Sequence, residues 1–506
     1  MPFAGESFPA PAGSAAFSPA VSRRLKLFFL VSFGVLAAVD LVFLDQIPWG
    51  ATVDDGTYAA ASYSFVRTGR AGWPMMKGLF GLERDHIGCG RIWAAMLGGS
   101  QLLFGATSFA ARLPGLLVVA ASVGLVYRLA CEAALAPPLA LGAALLWFAS
   151  VPARLLAHSV RPEGLVMLIF LGAVLLLFRA LSHPSWPRFF LAGCLAGLSL
   201  EAHLVGSSAI AALAAAAGLF SSPGQRVRNA ALVAAGAVPP VLLWLWVHAW
   251  SQPDLWRWQW DGLLRLGAAA PVLEGPAAVV QHAARRYTAY FWGPQYHRYL
   301  VELFFMLAAV VLSWRESRLR MILGLLLLFH FFLALLAALP HAGYMLAAHP
   351  LACVLIAATL WGSAHRTVRL AGTSLVAFYL LHTAYWVARR DPPLPRQVSV
   401  DVRRHVGGAT FLIADNLWFH FPESANTRTV TAVNFFPFYA PGLPPQAALD
   451  RYLRQEKVQF VVEDKVFRTF ISRHPSALAF FAERATLIRQ YDYGTGWIRI
   501  YRLLQD

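Results

Sequence analysis

Apolar runs of roughly 17–22 residues recur along the chain, divided by short polar connections. This is the pattern of helices that cross a bilayer core about 30 Å thick. The first run covers residues 27–44. Others read near 112–130, 138–153, 164–181, 189–202, 204–220, 229–248, 299–314, 319–339, 345–361 and 368–388, about eleven in all. The segment Arg91 to Gly105 is apolar but short and broken by glycine, which predicts an interfacial helix rather than a crossing. With this count the loops carrying Arg188, Gln225 to Arg228, Trp314 to Arg320 and His365 to Arg369 share one side. Ser22 to Lys26, ahead of the first span, joins them there. Positive charge marks the cytoplasmic side, so the N-terminus is expected in the cytoplasm. Val42 to Ile47 offers no small-x-small cleavage site, which predicts an uncleaved first span.

The same count places four polar clusters on the opposite side: residues 45–90, Arg154 to Glu163, the aromatic-rich loop 249–298, and Pro340 to Pro350. A channel or transporter more often carries charges mid-span along its pathway. Here Asp40, near the end of the first span, is the clear aspartate within a span. Beyond Asp391 the pattern changes. Pro392 to Pro395 marks a linker, and period-two runs follow at Ala409–Ala414, Thr429–Val433 and Val458–Val462, with a hairpin over Ile488–Tyr501. Helical patterns at 445–456 and 474–485 alternate with them. The expected architecture is an α-helical polytopic membrane protein with a small C-terminal α/β domain outside the membrane. Its parts are a disordered N-terminus over 1–22, a transmembrane domain over 23–390 whose outer loop 45–111 carries juxtamembrane helices, and the α/β domain over 391–506.

Composition agrees with this class. Of 506 residues, 58% are hydrophobic and 13% charged, too little polar surface to cover a soluble protein of this length. The formal charge of +16 raises the question of nucleic acid. The arginines, however, flank hydrophobic spans, so they read as topology signals and contacts to the lipid bilayer, and no nucleic-acid partner is expected. Four cysteines, Cys89, Cys131, Cys194 and Cys353, lie far apart without a CxxC pair, so neither a disulfide framework nor a thiolate metal site follows.

Chemistry concentrates in the clusters opposite the basic loops. Asp54 and Asp55 are adjacent carboxylates just past the first span. One member of such a pair can be kept basic by the other, the pair can bind a divalent cation, or it can be a solvated turn before a helix. Between Ala157 and Gly164, and just before it, stand Arg154, His158, Arg161 and Glu163. Arg161 suits a phosphate or an acidic neighbour. Glu163 faces the positive end of the helix that Pro162 opens, and capping alone can explain it. Asp85 and His86 form a candidate metal pair or an ordinary surface pair. Glu201 and His203 end a span. Arg285, Arg286 and Arg298 lie among tryptophans and tyrosines of an interfacial belt and suit an anionic lipid headgroup. His341, Tyr344 and His349 open a late span.

Asp54-Asp-Gly-Thr-Tyr58 resembles the Asp-(Asp/Glu)-x-x-Tyr motif in the first outer loop of GT-C-fold glycosyltransferases, in the branch of the protein O-mannosyltransferases and the lipid A aminoarabinose transferase. Leu103 to Pro114 is similar to that group's Phe-Gly…Arg-Leu-Pro stretch. Ser159-Val-Arg-Pro-Glu163 resembles its Arg-Pro-(Asp/Glu) loop, and Gly343 to Pro350 its late Arg-Tyr…Pro motif. The matches run in order over roughly residues 25–390.

The resemblance implies a GT-C fold and an enzyme that takes a sugar from a polyprenyl-phosphate carrier and inverts its anomeric carbon. The acceptor would be a hydroxyl of an envelope glycolipid, a polysaccharide or a protein at the outer face of a bacterial inner membrane. Carried over, Asp54 is the general base and Asp55 its helper. Arg161, Arg154, Arg285, Arg286, Arg298 and Tyr344 meet the donor phosphate, and Tyr58, Glu163, His203 and His341 line the cavity. No cofactor is required by this scheme, though a divalent cation can be accommodated, with Asp85 and His86 as its candidate ligands. Three departures stand out. Asp55 replaces the commoner Glu, Gly343 stands where the late motif has Arg, and Asp85 to Gly90 replaces the Glu-Lys-Pro of the aminoarabinose branch. The competing class is a non-enzymatic lipid-carrier transporter or envelope-assembly scaffold that uses the same arginine-rich cavity only to bind.

Overall fold

A computed structural model describes residues 19–45, 54–265, 271–292, 316–337, 342–362, 366–388, 394–422, 425–435, 440, 442–494 and 496–504. Helices dominate. In chain order they begin α1 (Pro19–Val42), α2 (Asp54–Thr68), α3 (Arg91–Phe104), α4 (Ser108–Glu132), α5 (Pro137–Ala149), α6 (Val151–Ala157), α7 (Glu163–Ser182), α8 (Trp186–Leu198), α9 (Gly206–Phe220), α10 (Arg226–Leu245) and α11 (Pro253–Arg265). Helices Pro276–Trp292, Ser317–Leu336, His349–Gly362 and Arg366–Ala388 follow. Six described segments are long and apolar enough to cross a membrane: α4, α7, Pro223–Trp250, Ser317–Leu336, Gly343–Trp361 and Thr367–Ala388.

The other expected spans resolve differently. The run 138–153 is a pair, α5 and α6, bent by 57°. Pro152 sits in the first turn of α6 and Ser150 accepts a hydrogen bond from the Ala153 amide, so the chain restarts a helix there instead of continuing one. The runs near 189–202 and 204–220 are α8 and α9, of 13 and 15 residues, shorter than a bilayer core needs. The run near 299–314 lies outside the described residues. Helix α1 packs on α4 and α5 while leaving Leu27, Leu30, Val31 and Val35 exposed. The short segment expected as interfacial is α3, which buries Trp93 and Leu97 and exposes Leu102, Leu103 and Phe104.

Close packing of the bundle depends on small residues. A Cβ on Gly193 of α8 would collide with the Val233 carbonyl of α10, and one on Gly236 of α10 with the Phe190 carbonyl of α8. The two backbones therefore touch reciprocally, with Gly197 one turn further along the same face.

After the helix Arg396–Val406 comes a five-stranded sheet in the order β2-β1-β3-β5-β4, made of β1 (Thr410–Ile413), β2 (Thr427–Thr429), β3 (Val458–Glu463), β4 (Ala485–Tyr493) and β5 (Gly496–Leu503). Strand β1 is parallel to β2 and β3, which brings their C-terminal ends to one edge, followed there by Asp415 and Asp464. Strands β4 and β5 form the expected hairpin, with Leu487 opposite Tyr501. The second expected strand, Thr429–Val433, is displaced: β2 ends at Thr429 and the rest of the run is a 3₁₀ turn, Val430–Phe435. This sheet does not stand apart from the rest. Met76, Leu79 and Phe80 from the loop after α2 share its core with Leu412, Leu449, Tyr452 and Phe467. On its other side Phe411, Ile413 and Trp418 continue the core of the helical bundle.

Gly193→Leu is expected to force α8 and α10 apart. The overpacking cost of about 1–3 kcal/mol should appear as a lower melting temperature of the detergent-solubilised protein, with Cys194→Ser next to it as an unaffected control.

Candidate functional site

Helix α2 opens at Asp54, whose side chain lies outside the described residues; Asp55 is its second residue. The Asp55 side chain is 1% exposed, so protein groups must meet its charge. Arg112 of α4 does so, with Nη2 3.3 Å from Asp55 Oδ2, while the Val160 amide donates to Oδ1 at 3.3 Å. The other end of the Arg112 fork donates to the Leu44 carbonyl at the end of the first helix. Val160 is pinned in turn, its carbonyl accepting from Trp93 Nε1 of α3 at 2.9 Å. One carboxylate thus gathers α1, α2, α4 and the loop that carries Arg161 and Glu163. Arg112 was not singled out from the sequence, although it is the arginine of the Arg112-Leu-Pro114 stretch.

Arg161 and Glu163 form an ion pair, Nη2 to Oε1 at 2.7 Å, with Nε adding a second contact at 3.0 Å. Glu163 is the first residue of α7, so it also meets that helix's positive end. Arg154 is placed elsewhere. Its fork holds Asp40 and the Phe148 carbonyl, and His158 Nε2 lies 3.0 Å from the same Asp40. Arg154 and Asp40 are both fully enclosed. Arg154 could meet a phosphate only by abandoning a buried aspartate.

A second polar hub lies beside α2. Asp85 accepts a bidentate fork from Arg91 at 2.6 and 2.7 Å, the Gln252 amide at 2.6 Å and the Ala71 amide at 3.0 Å. Burial raises the Asp85 pKa, but these donors outweigh it and hold the carboxyl below its usual range. Glu201 joins the hub by accepting from the Arg91 amide at 3.1 Å, and His248 Nε2 lies 3.4 Å from it. His86 stacks on Trp73 at 4.1 Å, and Tyr58 of α2 meets the same Trp73 edge-on at 6.5 Å. Desolvation pushes the His86 pKa down to about 3 against the pull of Asp85. Among the described residues no three His, Cys, Asp or Glu side chains gather as a metal site. Asp85 is instead occupied by four donors as the anchor of its loop.

Further from α2, the His203 ring lies 5.2 Å from that of Tyr344, and its Nδ1 accepts from the Val205 amide, which puts the proton of the neutral ring on Nε2. Arg286 caps Ser317–Leu336 by donating to the carbonyls of Leu333 and Ala337 at 3.0 and 2.8 Å. Arg285, its neighbour, is exposed. Arg298 and His341 lie outside the described residues. At the opposite end of the bundle, Arg179 and Arg318 converge on Glu132.

Residues 92–268 match the sequence family described as dolichyl-phosphate-mannose-protein mannosyltransferase. No curated protein matches the chain at a significant level. Among solved structures, the chain is similar to ArnT from Cupriavidus metallidurans in the apo state, with a TM-score of 0.58, 12% identity, and coverage of 95% of this chain and 98% of that one. The same protein bound to undecaprenyl phosphate matches with a TM-score of 0.53, 14% identity, and coverage of 94% and 98%. The apo oligosaccharyltransferase of Archaeoglobus fulgidus matches with a TM-score of 0.52, 14% identity, and coverage of 92% and 73%. The chain has the GT-C glycosyltransferase fold in a membrane protein of several spans.

Asp85→Asn is expected to cost about 1.5–3 kcal/mol, because Arg91 loses its charge partner while staying largely enclosed. Since the Asp85 pKa is depressed in the folded protein, its contribution is complete above the ordinary carboxyl pKa of about 4 and fades as the pH falls below that. Melting temperatures of wild type and Asp85→Asn should therefore differ at pH 7 and converge on acidification below about pH 4.

Proposed function

We propose that this protein is an inverting glycosyltransferase that moves a sugar from a polyprenyl-phosphate carrier to a hydroxyl of an envelope glycolipid or polysaccharide. The observation that carries the reading is the joining of the acidic helix start to the arginine loop: Asp55 of α2 holds the Val160 amide next to Arg161 and Glu163. The family match over residues 92–268 covers α3, α4 and that loop, and supports the same reading.

Asp54, at the start of α2, takes the proton of the acceptor hydroxyl, whose oxygen then attacks the anomeric carbon from the face opposite the phosphate. The carbon–oxygen bond to the phosphate breaks, and the carrier phosphate leaves with its electron pair. A positioned base contributes on the order of 10²–10⁴ in rate. Asp55 holds α2 against Arg112, which fixes the start of the helix that carries Asp54. The growing charge on the leaving phosphate requires cations aimed at it. Arg161 and the exposed Arg285 suit that task, joined by Arg298. Arg154 and Arg286 act one step back, supporting the walls through Asp40 and through the end of Ser317–Leu336. His203 and Tyr344 line the cavity. Positive loops at the opposite end of the bundle support a site on the periplasmic face of a bacterial inner membrane, with the sheet beside it.

Asp54→Asn should abolish transfer, a loss of about 10²–10⁴-fold, with normal expression and membrane insertion. The measurement is mass spectrometry of envelope lipids and glycans from a deletion strain complemented with wild type or variant, following the sugar that disappears on deletion. Full restoration by Asp54→Asn would remove Asp54 as the base. Undecaprenyl phosphate binding with no glycan changed by deletion would favour the transporter or scaffold.

A further inference from the structure

The first turn of α2 is clamped from two sides by consecutive residues. Asp55 is held inside the helical bundle by Arg112 and the Val160 amide. The next two residues face the C-terminal sheet. A Cβ on Gly56 would collide with the Asp415 carbonyl, so the backbones touch there, and Thr57 Oγ1 donates to Asp415 Oδ2 at 2.7 Å. Asp415 is completely enclosed and follows the end of β1. It accepts two more hydroxyls, from Thr429 at the end of β2 and from Thr431 Oγ1 at 2.8 Å. The turn behind it is fixed as well, by Asn416 Nδ2 donating to Asp464 Oδ2 at 2.8 Å and the Phe467 amide donating to Asp464 Oδ1 at 2.7 Å.

Burying a carboxylate is costly unless donors or positive charge surround it. Asp415 has three hydroxyl donors and lies at the first turn of α2, where the helix presents its positive end. The sheet thereby gains a fixed anchor, and the helix gains a fixed start. Gly56 is what allows it, since any side chain there would separate α2 from the turn after β1.

We infer that Asp415 is a positioning residue for the transfer reaction. It grips Thr57, sets the rotation of the first turn of α2, and so fixes the backbone that carries Asp54. The C-terminal sheet is on this account part of the catalytic apparatus, although none of its residues need touch substrate. This rests on the reading of Asp54 as the base.

The test uses the full-length protein and three variants, Asp415→Ala, Asp415→Asn and the near-isosteric Thr57→Val, at matched amounts of folded protein in the complemented deletion strain. Misaiming a base by about 1 Å costs on the order of 10²-fold, so Asp415→Ala should lose about 10–100-fold of transfer. Asp415→Asn, which still accepts from Thr57, should recover much of it, and Thr57→Val should fall between. Binding of undecaprenyl phosphate to the purified variants should be unchanged, and hydrogen exchange over residues 54–68 should be faster in Asp415→Ala. Full transfer by Asp415→Ala, or a loss of transfer matched by an equal loss of undecaprenyl phosphate binding, would overturn the inference. If Asp54→Asn also transfers normally, the reading of Asp54 fails by itself; exchange over 54–68 that is then the same in Asp415→Ala and wild type overturns the anchoring role too.

Discussion

The start of α2 and the loop beside it are held by the need to satisfy one enclosed carboxylate. Asp55 is almost without solvent, and a charge in that position persists only if protein donors surround it. Arg112 and the Val160 amide are those donors, and each is attached to something else. Arg112 reaches from α4 to the end of α1, and Val160 is locked to Trp93 of α3. Three helices and a loop are brought into register around a single side chain, and the loop's Val160 carbonyl adds α3.

The second hub repeats the logic with other residues. Asp85 collects Arg91, Gln252 and the Ala71 amide, and Glu201 collects the Arg91 amide beside His248. The loops after α2, after α8 and after α10 are thereby tied to one another at the same end of the bundle. Tyr58 meets Trp73 edge-on and His86 stacks on the same ring, between the two hubs. Such a connected set is stiff, which suits chemistry that depends on placement more than on strong binding. At the far end the arginines are simpler, with Arg179 and Arg318 gathered on Glu132.

Most arginines near the site are structural. Arg91, Arg112, Arg154 and Arg286 each hold a carboxylate or helix-end carbonyls. A guanidinium forms several directed bonds at once, so it is suited to joining elements at an interface. Retention of the GT-C fold at 12–14% identity across nearly the whole chain fits this picture. Apolar periodicity and a few such joints define the architecture, and most other positions can change without altering it.

The sequence by itself determined the membrane class, the short helix α3, the hairpin β4–β5 and the gathering of polar residues at one end of the spans. These follow from local periodicity and from charge placement in loops, which a linear chain displays directly. It did not determine where α5 gives way to α6, because a helix restart at Ser150 and a continuous apolar run have the same composition. Nor did it sort the arginines. Arg154 and Arg161 stand seven positions apart and both counted as phosphate candidates, yet one is enclosed with Asp40 and the other pairs with Glu163 near Asp55. The largest gap was the C-terminal sheet, which read as a separate domain. Only the tertiary structure joins Thr57 to Asp415, 358 residues apart, because pairing of enclosed polar groups is decided by which surfaces meet in three dimensions.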